Sequence, residues 1–275
     1  MKKNKIVVHC IVKNEENFIW YALQSVLPFV DKIMVWDTGS GDKTVEIIKS
    51  IKSSKIDFVE KGPVDSNSFT GVRNEMIQAT DKQKYNWLMI LDGDEIWPDS
   101  SITKIVKYIN SHPLTQAIFI NTTNVVGDIY HKQPKSAGHY KIKGKVGHLS
   151  LRFINLQEVS NLKVDLPHGQ QGFFSNGQLI QELPRVDYVN TAYLHTTHLP
   201  RSSQDKSTIK RSLKLKYELG EKISLQDIPQ IVFNDHPSIV PDITKRMGSW
   251  TYIKCLFFTL PRRLKRAIFQ PSEGY

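Results

Sequence analysis

Trp87-Leu88-Met89-Ile90-Leu91-Asp92-Gly93-Asp94-Glu95 is a run of five apolar residues leading straight into three carboxylates and one glycine. A short, unbroken apolar run of this kind suits a strand covered on both faces, as in a parallel sheet. The same ending occurs earlier, where Val35-Trp36 runs into Asp37. In an open α/β sheet, ligands bind outside the carboxyl ends of the parallel strands. If the two strands lie close together, Asp37 and Asp92 face one crevice.

The chain on either side fits such a sheet. Residues 5–12 read as a first strand. After Asn14, the spacing of Phe18, Ile19, Ala22, Leu23, Val26 and Leu27 predicts a helix that Pro28 closes. Residues 32–36 predict a second strand, and Asp42 in the following turn is placed as a helix N-cap. Residues 56–60 predict a third strand, and 69–80 a helix before the strand at 87–91. Pro98-Asp99-Ser100-Ser101 opens a helix carrying Ile102, Ile105, Val106 and Ile109, and 117–126 is a further strand. This alternation predicts an α/β fold: a mostly parallel, mixed Rossmann-like sheet with helices on both faces.

The pattern weakens from about 127 to 186, where many glycines separate short apolar pieces. Loops with a few strands are expected there, one at 148–154. A strand is expected at 187–195 and a basic helix at 204–219.

The chain has 275 residues, 40% of them hydrophobic and 23% charged, which excludes global disorder. Two cysteines, Cys10 and Cys255, make no disulfide framework, and a reducing, intracellular setting is the simpler expectation. The apolar run behind the basic start is short, contains His9 and ends in Lys13-Asn14-Glu15-Glu16, unlike a secretory signal. The net charge is +10, and seven basic residues with no acidic one lie between Ile243 and Ser272. Within that tail, residues 249–269 mix aromatics with clustered Arg and Lys. That composition suits a helical extension lying on an anionic membrane surface, with Trp250, Phe257 and Phe258 inserted. The structural alternative is a helix packed on the core with a solvated basic face. Nucleic acid is not an expected partner, since no recognisable reader module accompanies the charge.

Asp92, Asp94 and Glu95 crowd three negative charges into four residues. Two like charges 4 Å apart repel by about 1 kcal/mol in water and by more where water is excluded. A divalent cation removes that cost, and Mg2+ or Mn2+ takes one or two carboxylates together with substrate phosphates. Gly93 lets the backbone turn closely around an ion. An acidic surface turn is the plain alternative for Asp92-Gly93-Asp94, and a helix cap or turn role is that for Asp37.

The chain resembles a glycosyltransferase of family 2 with the GT-A fold. The resemblance rests on residues 12–47, on Arg73-Asn74-Glu75-Met76-Ile77-Gln78-Ala79 and on residues 87–95, in that order. It is firm over about residues 5–125 and looser beyond. It implies that Val12, Asn14 and Glu15 meet the nucleotide, that Asp37 holds the base, commonly uracil, and that Gly39 and Ser40 form the adjoining turn. Arg73 and Asn74 would approach the ribose and diphosphate. Asp92 and Gly93 would face the ribose and the metal, and Asp94 would ligate Mn2+ or Mg2+. The family adds a later metal ligand, for which His195 and His198 are the candidates. On a strand, residues three apart point to opposite faces, so only one of the two is expected to ligate.

An inverting enzyme needs a group to take the acceptor's proton. Related enzymes carry His-Glu or Glu-Asp in the middle region, whereas here His168 is followed by Gly169. Asp165, His168 and Glu182 are the substitutes. The resemblance therefore implies transfer from a nucleotide-sugar, commonly a UDP-sugar, to a glycan or lipid-linked acceptor. A GT-A domain is expected over 1–200 and a helical extension over 201–275, in a cytoplasmic protein peripheral to the inner face of the membrane. The missing acid leaves open a non-catalytic, membrane-associated module that binds a nucleotide sugar.

Overall fold

The computed structural model describes residues 4–65, 68–165, 172–205 and 214–268. Strands β1 (Ile6–Val12), β2 (Lys32–Asp37), β3 (Ile56–Glu60) and β4 (Trp87–Leu91) form the parallel half of a mixed sheet, in the order β3-β2-β1-β4. Beyond β4 the sheet continues through β10 (Leu149–Asn155) and β6 (Ala117–Val126). Here β10 is antiparallel to both its neighbours, and β14 (Val186–His195) runs parallel to β6.

The unbroken apolar character of β1 and β4 follows from cover on both faces. Ile6, Val8, Cys10 and Val12 point into one core layer, together with Trp87, Met89 and Leu91. Val7 and Ile11 point into the other, with Leu88 and Ile90. The first layer is closed by α1 (Ile19–Val26), α2 (Thr44–Ser50) and α4 (Asp99–Ser111), the second by α3 (Phe69–Gln78). Each large side chain fully buried in this way contributes about 1.5–3 kcal/mol. The α/β sheet with helices on both faces is therefore as the alternation predicted. Residues beyond 200 share the first layer, through Ile223, Ile228, Val232 and Val240.

Several local expectations need correction. The first helix begins at Ile19, because Asn14 takes a left-handed φ of 55° and residues 15–18 form turns. Asp42 is not an N-cap: α2 begins at Thr44 after Lys43, and Asp42 accepts the Thr44 N–H from one residue further out. The middle region holds more strands than expected. They are β7 (Asp128–Lys132), β8 (Tyr140–Ile142), β9 (Lys145–Gly147), β11 (Lys163–Asp165), β12 (Gly172–Ser175) and β13 (Gln178–Leu179). Of the basic helix expected over 204–219, residues 206–213 lie outside the described residues, and 214–219 are not helical.

The helix α5 (Ser249–Ile268) is present, with an unusual orientation. It rests on the body by a polar stripe. Cys255 and Thr259 are buried, Thr259 accepts the Leu219 N–H, and Arg266 pairs with Glu218. Its apolar side chains face outward, with Trp250 at 69%, Phe257 at 75% and Ile268 at 71% exposure. This is the reverse of a helix packed on the core by its apolar face. Among the described residues no helix is long and apolar enough to cross a membrane.

One buried core group titrates in an accessible range. His9 on β1 is 3% exposed and meets the Thr80 hydroxyl at 2.7 Å. Burial, reinforced by Arg73, pushes its pKa down to about 3. The unfolded chain therefore binds a proton below pH 6.5 that the folded chain refuses, so stability rises with pH between about 3 and 6.5. Between pH 6 and pH 4 His9 is expected to cost up to about 1.4 kcal/mol per pH unit. His9→Gln should flatten that slope in pH-dependent urea denaturation, and an unchanged slope would refute the assignment.

Candidate active site

The register of the parallel half assembles the site. β1 lies between β2 and β4, with Val12 opposite Asp37 and Cys10 opposite Leu91. Asp37 and Asp92 thus emerge from the same sheet edge, about 10 Å apart across two strand spacings. Asp37 is 3% exposed and caps its own turn, its Oδ2 accepting the N–H groups of Gly39 and Ser40 at 2.9 and 3.0 Å. The turn depends on Gly39, whose φ is 88° and whose missing Cβ would stand 2.8 Å from Pro63 Cα. Asn14 is tied to the same turn: its N–H donates to Ser40 Oγ and its Oδ1 accepts the Gly41 N–H, both at 2.8 Å. The turn role weighed for Asp37 is therefore real, although a carboxylate with about four acceptor positions keeps capacity for a ligand.

At the end of β4, residues 92–95 form a turn in which the Glu95 N–H reaches the Asp92 carbonyl at 3.2 Å. Gly93 permits the close approach of this turn to the first loop, since a Cβ there would meet Glu15 Cγ at 2.9 Å and Val12 Cγ1 at 3.2 Å. The chain then enters β5 (Glu95–Ile96), antiparallel to β14, with His195 opposite Glu95. That pairing brings His195 Nε2 to 3.6 Å from Asp94 Oδ1.

The carboxylates are not left to repel one another. Arg152 on β10 reaches Asp92 Oδ2 at 3.1 Å and is hydrogen-bonded to Glu95, which is fully buried. Arg73 on α3 stands 3.7 Å from Asp92 Oδ1. Arg201, just after β14, pairs with Glu15 and lies 3.5 Å from Asp94 Oδ2. Burial works to raise the Asp92 carboxyl, but Arg152 and Arg73 outweigh it and hold it below the usual range. Burial raises Glu95 to about 7 despite Arg152. The repulsion that the sequence suggested a cation must relieve is thus met by three guanidinium groups. Arg152 and Arg201 escaped the sequence reading, because each is far along the chain and carries no motif.

The two candidate histidines part ways. His195 Nδ1 faces Asn124 Oδ1 at 3.1 Å, and Asn124 Nδ2 faces His148 Nδ1 at 3.0 Å. A proton on His195 Nδ1 leaves Nε2 directed at Asp94, the arrangement in which a neighbouring acceptor fixes a ligating imidazole. Burial alone would lower its pKa, and the Asp94 carboxylate more than offsets that. A metal would have to displace the resulting proton. His198 instead directs Nδ1 to the Lys214 carbonyl at 2.9 Å, and burial with Lys216 pushes it down to about 3. No trio of His, Cys, Asp and Glu among the described residues is arranged to cage an ion alone. Asp94 and His195 supply an oxygen and a nitrogen donor, which fits an ion completing its shell from substrate phosphate.

Other expected residues lie elsewhere. Asn74 does not join the charged cluster: its amide is spent on the backbone of Val164, at 2.8 and 2.7 Å. Asp165 is exposed on β11 and pairs with Lys163 at 2.8 Å. Glu182 is exposed on a short 3-10 turn, while its neighbour Gln181 lines a cavity of about 770 Å3. That cavity shares Arg152, Tyr193 and His195 with the acidic cluster. His168 lies outside the described residues.

A family model described as glycosyl transferase family 2 matches residues 7–169, more than half of the chain. The chain belongs to glycosyl transferase family 2. No curated protein matches it. A structure of glucosyl-3-phosphoglycerate synthase from Mycobacterium tuberculosis, in complex with Mn2+, uridine-diphosphate (UDP) and phosphoglyceric acid, is similar at 15% identity and a TM-score of 0.47. The match covers 76% of this chain and 75% of that one. A 4-diphosphocytidyl-2C-methyl-D-erythritol synthase from Anaerococcus prevotii is similar at 10% identity and a TM-score of 0.38, over 76% and 95% of the two chains. In this family-2 chain the matched span includes Asp37, Arg73, Asp92, Asp94 and Arg152 but ends before His195 and Arg201.

Arg152→Met should leave Glu95 buried without its counter-charge, a loss of about 3–5 kcal/mol. Thermal unfolding should show a fall of roughly 10 °C at neutral pH, given about 2–4 °C per kcal/mol for a domain of this size. Adding Glu95→Gln should recover part of it. Equal melting of Arg152→Met and the wild type would show that the pair is not a structural ion pair.

Proposed function

We propose that this family-2 chain transfers a sugar, with inversion at the anomeric carbon, from a nucleoside-diphosphate sugar, preferably a UDP-sugar, to an acceptor hydroxyl in glycan or cell-surface polysaccharide synthesis. The observation that carries the reading is the emergence of Asp37, Asp92 and Asp94 at one sheet edge, with Arg73 and Arg152 beside them. Asp37 and the Gly39–Ser40 turn would hold the base, with Val12, Asn14 and Glu15 forming the floor. Arg73 would reach the diphosphate, for which a planar, permanently charged guanidinium is suited.

Asp94 and His195, with Asp92 beside them, would hold Mn2+ or Mg2+, which when bound neutralises the departing diphosphate. The acceptor would enter through the 770 Å3 cavity, which abuts the acidic cluster at Arg152 and His195. Bond formation from the acceptor oxygen to the anomeric carbon, with departure of the nucleoside diphosphate, releases a proton, for which Asp165, His168 and Glu182 are the candidate bases. Val164 and Gly172 line a smaller cavity together with Arg73 and Arg152. A second reading, a non-catalytic nucleotide-sugar-binding module, is favoured by one feature: no described residue lining the large cavity is Asp or Glu.

The outward apolar stripe of α5 supports attachment to an anionic membrane surface. Trp250, Phe257 and Ile268 are exposed alongside Arg263 and Lys265, with no acidic residue on the helix. Insertion of the aromatics would be aided by about 1 kcal/mol for each basic residue near the surface.

Titration of UDP with and without Mn2+ should show tighter binding with the metal. Asp94→Ala should weaken the metal-dependent part at least tenfold. A nucleotide-sugar panel should show donor turnover that His168→Ala or Asp165→Asn reduces by 10²–10⁴, the usual contribution of a general base. Donor binding with no turnover against any acceptor would favour the second reading, and no donor binding would sink both. In vesicle flotation, the full chain should partition to phosphatidylglycerol vesicles in preference to phosphatidylcholine vesicles. Phe257→Asp/Leu264→Asp should abolish that preference, and equal partitioning by the two proteins would refute the membrane assignment.

A further inference from the structure

The large cavity has a charge pattern that the donor reading does not use. Arg152, Lys214 and Lys216 all line it, together with His148 and His198. None of the described residues that line it is acidic. The two lysines also differ from Arg152 in their surroundings. Arg152 is committed to Glu95 and Asp92, whereas neither Lys214 nor Lys216 forms an ion pair among the described residues.

Neutral polar groups complete the wall. Thr122, Gln133 and Ser150 line the cavity and suit hydroxyl recognition. His148 is committed, its Nε2 facing the Pro134 carbonyl at 3.2 Å and its Nδ1 facing Asn124. It shapes the wall, whereas the two lysines are held in no ion pair among the described residues. Lys216 is half-buried, and burial with Arg262 and Arg266 outweighs the nearby Glu218 and works against its charged form. An anion arriving beside it would relieve that crowding and gain charge-assisted hydrogen bonds.

We propose that this cavity is an acceptor site for a hydroxyl compound that carries a phosphate, with Lys214 and Lys216 binding the phosphate and the hydroxyl directed toward Arg152 and His195. The proposal rests on the transferase reading, since it names the acceptor class for that reaction. The phosphate could belong to a soluble phosphorylated polyol or sugar, or to a lipid headgroup presented at the surface that α5 would contact. The phosphate would anchor one end of the acceptor, and the neutral polar lining would accommodate the carbon skeleton.

Calorimetric titration of the full chain saturated with UDP and Mn2+ tests this, because the diphosphate position is then filled. Glycerol 3-phosphate, dihexanoyl phosphatidic acid and glycerol serve as probes. At least one phosphate-bearing probe should bind tenfold or more tightly than glycerol, and which one does identifies the soluble or the lipid source. Lys216→Ala and the exposed-site variant Lys214→Glu should each weaken that probe fivefold or more, with UDP affinity unchanged as the control for folding. Phosphate probes that bind no better than glycerol, or that bind the lysine variants as well as the wild type, would overturn the proposal. Failure of UDP itself to bind would count against the donor reading, and the lysine dependence of phosphate binding would still decide this one.

Discussion

The guanidinium of Arg152, lying between Asp92 and the fully buried Glu95, is the interaction on which the site depends. A carboxylate without exposure carries a desolvation cost of several kcal/mol unless a counter-charge and hydrogen bonds meet it. Arg152 supplies that charge, and Tyr193 in turn accepts its Nε–H at 3.1 Å while stacking on Trp97 at 4.8 Å. The turn at 92–95 can therefore sit inside the protein, where it holds Asp94 against β14. Because Arg152 belongs to an antiparallel strand inserted beside β4, the antiparallel part of the sheet stabilises the acidic end of the parallel part.

A second set of contacts closes the other side of the cluster. Arg201 pairs with Glu15, the Asn17 N–H donates to the Arg201 carbonyl at 3.0 Å, and the Ser203 N–H donates to Glu16 at 2.6 Å. The strap that follows β14 is thus bound to the loop that follows β1, although the two are nearly 190 positions apart in sequence. These contacts couple the loop after β1 to the strap after β14. The charge arrangement is near balance, with acids at 15, 92, 94 and 95 facing arginines at 73, 152 and 201. A metal bound at Asp94 would have to compete with Arg201.

The helix α5 shows a different logic. Its sequence has the composition of an amphipathic segment, but composition alone does not say which stripe meets the body. Glu218 and the Leu219 N–H draw the Arg and Thr stripe inward, and the aromatic stripe is left facing out. A core-packed helix would lose that outward face to burial. Here an uncovered apolar surface is the result of polar pairing.

Much of the fold was legible because local rules and tertiary demand agree in the parallel half. Period-2 burial on both faces made β1 and β4 apolar runs, Pro28 ended α1, and the carboxylates at the strand ends followed from sheet geometry. Asp37, Asp92 and Asp94 could be placed for the same reason, as each ends or follows a readable strand, whereas Arg73 was named through the family resemblance. Residues 127–186 were less legible, since short strands that pair outside the main run carry little periodicity. The surroundings of Asn74 and His198 could not be read, because a side chain's partner is set by another segment: Val164 takes the Asn74 amide and Lys214 takes His198. The sequence by itself determined the parallel α/β half and its acidic strand ends, through periodicity and backbone chemistry that act locally. Tertiary structure alone decided which cations neutralise those acids and which histidine meets Asp94, because buried charge is satisfied by proximity in space and leaves no periodic trace along the chain.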